Sequence, residues 1–229
     1  QYARNLEIPI MGTHHSNISE YMEHYPGMRW LAPIVAEYFR HFFNFLQAMY
    51  VTTPYMHKYL ADTYKLDRIT ELKVWGRGID LDKFSPSHRS LDFRQRYGIQ
   101  PDEVVICFVS RLVPEKRLDI VADVIQRLHG RNVPFKALIV GSGPEEGRMK
   151  VLPNTTCAGW MTGDDLSIAY ASSDIFLFPS AVETFGNVTL EAAASGLPLV
   201  VESDCSGHLV TNGFNGYGCQ AGDFDAFYE

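Results

Sequence analysis

Two stretches, SRLVPEKRLDI at 110–120 and PSAVETFGNVTLEAAASGLPLV at 179–200, decide how this chain is read. Each passes from an apolar segment through a short loop into a helix-like pattern. Strand, loop and helix repeated in that order predict a parallel α/β sheet, whose strand ends gather along one edge where ligands bind. Arg111 and Lys116 in the first stretch, and Glu183 and Glu191 in the second, are therefore aimed at one crevice. Cations suit phosphates, and carboxylates suit sugar hydroxyls.

The spacing carries the signal. Arg111 follows the apolar run VVICFVS (104–110), and Lys116 lies five residues on, just after Pro114. Proline favours the first position of a helix, which predicts Lys116 in a first helical turn. Free backbone N–H groups and the positive dipole end already attract phosphate there. Arginine adds a planar fork that holds two phosphate oxygens at once. Asn187 is predicted to cap the helix carrying Glu191, while Glu183 stays in the preceding loop, eight residues earlier. A ligand lying over that helix start meets one carboxylate at each end.

Arg-x4-Lys followed by Glu-x7-Glu, the latter inside FPSAVETFGNVTLEAAASGLPLV, resembles the donor domain of the family-4 retaining glycosyltransferases of the GT-B fold. GRGID (76–80) with Phe84 and Pro86, IVGSGPEEGRM (139–149) and AGWMTGDDLSIAYASSD (158–174) extend the resemblance over nearly the whole chain. Within the family the chain is similar to lipid-directed members, the plant and bacterial sulfoquinovosyl- and mannosyl-diacylglycerol synthases. The resemblance implies a nucleotide-sugar donor, UDP-linked by preference, and transfer with retention of anomeric configuration. It implies that Arg111 and Lys116 stabilise the departing diphosphate, that Glu183 holds sugar hydroxyls and that Glu191 holds the ribose. It places His14, from the acceptor-side domain, against the donor sugar. Thr184, Phe185, Gly186 and Asn187 around the second motif are read as donor-binding. The nucleotide-sugar is a substrate, so no cofactor is expected, and no metal is expected because Arg111 and Lys116 supply the positive charge.

Composition sets limits. The chain has 229 residues, 46% hydrophobic and 21% charged, which is ordinary for a soluble globular protein. Residues 1–100 carry a net charge of +2 and residues 101–229 a net of −9. So acidic a second half argues against a nucleic-acid partner, which demands a broad basic face. Cys107, Cys157, Cys205 and Cys219 show no CxxC or Cys/His metal spacing, and the first two lie in strand-like runs as buried thiols. A reducing compartment is expected, the cytosol or an organelle stroma, with peripheral membrane contact as an added expectation. No signal peptide is visible, and the chain reads as an internal piece of a larger protein.

Along the chain, 1–80 reads as the C-terminal part of the acceptor-side Rossmann-like domain, 81–100 as the interdomain connection, and 101–229 as a truncated nucleotide-sugar donor domain. IPIMGTHH (8–15) is a predicted strand entering a loop. WLAPIVAEYFRHFFNFLQAMYV (30–51) is a predicted helix followed by the strand AMYVTTP (48–54); Glu37, Arg40, His41, Asn44 and Gln47 argue against a membrane span. PYMHKYLADTYK (54–65) is a further helix, and ELKVWGRGID (71–80) a strand leaving into a loop.

Several residues keep two readings. His14, His15, Glu20 and His24 have loose metal-like spacing, but a structural His pair fits equally well. Arg77 reaches phosphate or bridges domains. Gly141 and Gly143 are read as allowing close backbone approach to the donor. Trp160 and Met161 flank the nucleotide base or belong to the core. For the whole protein, the glycosyltransferase reading stands beside a same-fold nucleotide-sugar epimerase or phosphorylase and a non-catalytic nucleotide-sugar binding module. Residues 1–229 alone are expected to bind nucleotide without transferring sugar to a lipid or carbohydrate acceptor.

Overall fold

The computed structural model describes residues 5–23, 25, 27–66, 71–180 and 182–229. The chain divides into two compact units, Gln1–Gly78 with Val182–Phe185, and Ile79–Ala181 with Gly186–Glu229.

The first unit is built on three parallel strands in the order β1-β2-β3: β1 (Met11–Thr13), β2 (Ala48–Val51) and β3 (Glu71–Val74). Between β1 and β2 run α1 (Ile18–Glu23) and α2 (Ala32–Phe43), and α3 (Pro54–Tyr64) links β2 to β3. Thr53 opens α3 by accepting from the Met56 N–H at 3.0 Å, with Pro54 just inside the start. Phe43, Leu46, Met49, Val51, Met56, Leu60, Tyr64 and Leu66 form the core of this unit. The long aromatic stretch thus splits as expected into a helix buried on one side and a strand. Its outer face leaves Trp30, Ile34, Tyr38 and Phe42 exposed, one residue in four. Among the described residues no helix is long and apolar enough to cross a membrane.

The second unit is a six-stranded, wholly parallel sheet in the order β6-β5-β4-β7-β8-β9. Before it comes α4 (Leu91–Arg96). The strands are β4 (Val105–Val109), β5 (Lys136–Val140), β6 (Thr155–Gly159), β7 (Ile175–Phe178), β8 (Leu199–Glu202) and β9 (Gly216–Cys219). The α-helices that follow β4 to β9, with only the 3-10 turn Gly207–Leu209 between β8 and β9, are α5 (Leu118–Gly130), α6 (Glu146–Lys150), α7 (Gly163–Ala171), α8 (Asn187–Ala194) and α9 (Phe224–Tyr228). Val105, Ile106, Cys107, Phe108 and Val109 are all buried, as a strand covered on both faces requires. Burial pushes the Cys107 thiol up to about 12. The chain leaves β4 on one side, for β5 and β6, and returns to lay β7 on its other side. That reversal separates the loops after β4 and β7 at the carboxyl edge, the position where open α/β sheets bind ligands.

Residues 81–100 pack with the second unit. Ser90 caps α4 by accepting from the Phe93 N–H at 3.1 Å, and Phe93 enters the sheet's core. Arg94 is 1% exposed. Its guanidinium donates to the carbonyls of Ser172 (3.0 Å), Gln100 (2.8 Å) and Glu103, and to the Asp174 carboxylate (3.2 Å). Asp174 also takes the Val105 N–H at 2.8 Å and Arg89 at 2.8 Å. One buried cation thereby ties α4 and the 100–103 turn to the residues entering β4 and β7.

Removing one partner of such a pair strands the other, at a cost of about 3–5 kcal/mol. Arg94→Ala is expected to lower the urea-unfolding free energy of the second unit by that order. Arg89→Ala, which removes the outer and more exposed cation, is expected to cost under about 1 kcal/mol. Equal effects of the two substitutions would refute the clamp.

Candidate functional site

The loop after β4 places the first two predicted residues. Pro114–Lys116 is a separate 3-10 turn, and Arg117 follows in the left-handed region at φ 55 before α5 begins. Lys116 is therefore not in the first turn of the long helix; the left-handed residue breaks the path between them. Lys116 is 5% exposed, with Nζ 5.8 Å from the centroid of the Phe178 ring at the end of β7. An ammonium over an aromatic face retains favourable electrostatics out of water. Arg111 reaches outward and lies 3.5 Å from Oε1 of the buried Glu115. Glu115 escaped the reading of the sequence, although it stands four residues after Arg111; it anchors one side of the guanidinium.

Gly141 and Gly143, in the loop after β5, lie close against the loop after β4. A Cβ on Gly141 would fall 1.8 Å from the Ser110 carbonyl oxygen, and one on Gly143 2.4 Å from that of Leu112. Their missing side chains let the 141–143 backbone press against the loop that carries Arg111. The Leu112 N–H donates to Ser142 O at 2.9 Å, and the Glu145 N–H to Leu112 O at 3.0 Å.

The second motif starts α8. Asn187 is the first helical residue and not the cap. Gly186, at φ 80, occupies the cap position, and its carbonyl accepts from the Thr189 and Leu190 N–H groups at 3.0 and 3.1 Å. A side chain at Gly186 would meet Ser206 Oγ at 2.6 Å, so the position demands glycine. One turn on, half-buried Glu191 accepts from the fully buried Tyr170 hydroxyl at 3.0 Å. Burial raises the Glu191 pKa, opposed by Tyr170 and by the charge of Lys83. Tyr170 and Lys83 were not legible as site residues. Neither stands near Glu191 in sequence, and only packing brings them to it. Trp160 is exposed just past β6, and Met161 packs against the core.

The remaining predicted residues belong to the first unit. His14 is buried edge-on to Phe43 at 5.9 Å, and Nε2 lies 3.3 Å from Asn17 Oδ1. Asn17 turns its amide nitrogen to Glu20, so His14 is the donor and carries its proton on Nε2. Burial lowers its pKa, which keeps the ring neutral. His15 is exposed and accepts at Nδ1 from Arg77 Nη2 at 3.0 Å. Thr184 donates to the His15 carbonyl at 3.1 Å and accepts from Thr52 at its own carbonyl. Glu183 is half-buried beside it, and Phe185 is buried. Thr13, His15, Tyr50, Thr52, Trp75 and Arg77 line a cavity of about 330 Å³ at the carboxyl ends of β1, β2 and β3. His24 lies outside the described residues. Among the described residues no three His, Cys, Asp or Glu side chains group as metal ligands would.

Known proteins give this geometry a family. Residues 103–229 match the family model of glycosyl transferases group 1, and residues 1–83 match that of Glycosyltransferase Family 4. The sulfoquinovosyl transferase SQD2 of Arabidopsis thaliana is 31% identical over 202 residues, 86% of this chain and 38% of that protein. A GDP-mannose-dependent alpha-mannosyltransferase of Mycobacterium tuberculosis is 31% identical over 230 residues, 97% of this chain and 57% of its own. The chain thus spans roughly two fifths to three fifths of these relatives' lengths. Sucrose-phosphate synthase from Thermosynechococcus elongatus superimposes with a TM-score of 0.79 at 19% identity, over 99% of this chain and 59% of that one. Anabaena HepE, solved with UDP and glucose, does so with 0.73 at 22%, over 99% and 61%. At such identities the likeness gives the fold, which is GT-B.

The cap geometry makes a direct prediction. Asn187→Ala removes no capping hydrogen bond, so unfolding free energy is expected to change by less than about 0.5 kcal/mol. A capping asparagine would cost about 1 kcal/mol or more. Chemical denaturation of the two proteins separates these outcomes.

Proposed function

Because the chain belongs to the glycosyl transferases group 1 family, we propose that it supplies the donor side of an enzyme that moves a sugar from a nucleoside diphosphate to a lipid or carbohydrate hydroxyl, with retention of configuration. The observation that carries the reading is the pair of cations after β4. One is buried over Phe178, the other is anchored by buried Glu115, and β4 lies beside the strand that leads to α8. In the transfer the bond from sugar C1 to phosphate oxygen breaks, and a bond from C1 to the acceptor oxygen forms. The acceptor's proton passes to the departing phosphate. Negative charge grows on the diphosphate as it leaves, and Lys116, Arg111 and the first N–H groups of α8 stabilise it. Their charge does the work of a divalent cation, so no metal is required. Glu191 accepts from the ribose hydroxyls and Glu183 from those of the sugar. UDP is the first reading for the nucleotide; the relatives named as GDP-mannose-dependent support GDP as the second. A lipid acceptor fits the exposed row Trp30, Ile34, Tyr38 and Phe42, which we assign to peripheral bilayer contact. Co-sedimentation with phosphatidylglycerol vesicles is expected and should be lost in Trp30→Ser/Phe42→Ser; undiminished binding refutes that assignment.

Calorimetric titration of UDP and GDP in EDTA tests the donor site. Binding of one of them without metal is expected, and binding only with Mg2+ or Mn2+ would overturn the proposal. Affinity should fall as pH drops through the Glu191 titration. Its raised pKa puts that loss above the ordinary glutamate value of about 4.3, because the protonated carboxyl gives up an acceptor. Glu191→Gln is expected to flatten the profile. In the complete enzyme, Lys116→Ala and Arg111→Ala are each expected to cut turnover by ~10²–10³-fold. Turnover within a few-fold of the unsubstituted enzyme for both would show the phosphates to lie elsewhere.

A further inference from the structure

We propose that Tyr170 is a positioning residue: its hydroxyl orients the Glu191 carboxylate and thereby sets preference for a ribonucleotide over its deoxy counterpart. The inference rests on the reading of Glu191 as the ribose acceptor. Tyr170 is 0% exposed, and its ring is wedged edge-on between Phe84 at 6.1 Å and Phe176 at 5.9 Å. The phenol therefore has one orientation, and its hydroxyl meets Glu191 Oε2 at 3.0 Å. Burial raises the Tyr170 pKa well above its ordinary value, so the hydroxyl is a donor at neutral pH.

With Oε2 engaged, the two carboxylate oxygens are no longer equivalent. Oε1 accepts no hydrogen bond from the described residues and is not among their buried orphan atoms, so it remains open to a ligand. Oε2 has a second lone pair with its direction already fixed. A vicinal diol is recognised best by a carboxylate whose plane is set before the ligand arrives, since no rotamer freedom is then lost on binding. The loop that adds the attraction of Lys83 is itself held: Ser167 donates to the Lys83 carbonyl, and His88 Nδ1 lies 2.7 Å from Ser167 Oγ. A site built to bond hydroxyls rejects a ligand that lacks them, because its own polar atoms go unpaired.

The test compares Kd values of UDP and GDP with those of their 2′,3′-dideoxy forms, by calorimetry, for the chain, Tyr170→Phe and Glu191→Gln. The unsubstituted chain is expected to favour the ribonucleotide by about tenfold or more. In Tyr170→Phe that ratio should collapse toward unity while dideoxynucleotide affinity holds, which also certifies the fold. A phenol that merely packs would weaken both forms alike or neither, and either result overturns the proposal. If Tyr170→Phe does not fold, Glu191→Asp withdraws the carboxylate from the Tyr170 hydroxyl and should collapse the ratio too; a retained ratio refutes the inference. Loss of discrimination in Glu191→Gln but not in Tyr170→Phe sinks the role of Tyr170 and leaves the ribose reading standing. No discrimination in the unsubstituted chain sinks both.

Discussion

The candidate site depends on the direction in which the chain leaves β4. Had β5 to β9 followed on one side in order, adjacent loops would leave to the same side and no crevice would open between them. The chain goes to β5 and β6 and then returns to put β7 against the other edge of β4. Two loops diverge there, one bearing Arg111 and Lys116, the other leading to Gly186 and α8. Backbone fit then fixes the first loop. Without side chains at Gly141 and Gly143 the neighbouring turn packs directly against Ser110 and Leu112, so Arg111 starts from a closely packed base.

Charge is economical in this unit. Residues 101–229 are strongly acidic overall, yet cations stand where buried or gathering negative charge needs them. Lys116 replaces part of its hydration with the face of Phe178, an interaction worth up to about 2 kcal/mol when desolvated. Glu115 holds Arg111 and is itself buried, and Tyr170 does for Glu191 what Glu115 does for Arg111. In both cases a residue within the fold orients the one presented to solvent, which is how a site attains fixed geometry before its ligand arrives.

Much of this was legible in the sequence, and the misses have physical causes. The parallel sheet followed from short apolar runs alternating with helix patterns, and the two motif loops from their place between them. Lys116 was assigned to a helix start because Pro114 commonly marks one. Nothing about an arginine announces that Arg117 will adopt a left-handed backbone and break the helix there. Asn187 looked like a cap by type, but Gly186 takes that place since only glycine fits against Ser206. Tyr170, Lys83 and Glu115 were missed because their meaning lies in partners brought together by packing. The roles of Arg89 and Arg94 were illegible for the same reason: their segment read as the interdomain connection, and their common partner Asp174 is some eighty residues away.

That Arg94–Asp174 clamp bears on how such proteins recombine. A second unit exchanged between relatives at residue 101, where the strand-and-helix pattern begins, would leave Asp174 facing another protein's segment. The carbonyls of Glu103 and Ser172 would lose their shared donor as well. A crossover before Ile79 carries the clamp whole. Exchanges that survive, in the laboratory or over evolution, should cluster at that earlier junction, and the short segment ahead of β4 should be inherited with the second unit as a single heritable block.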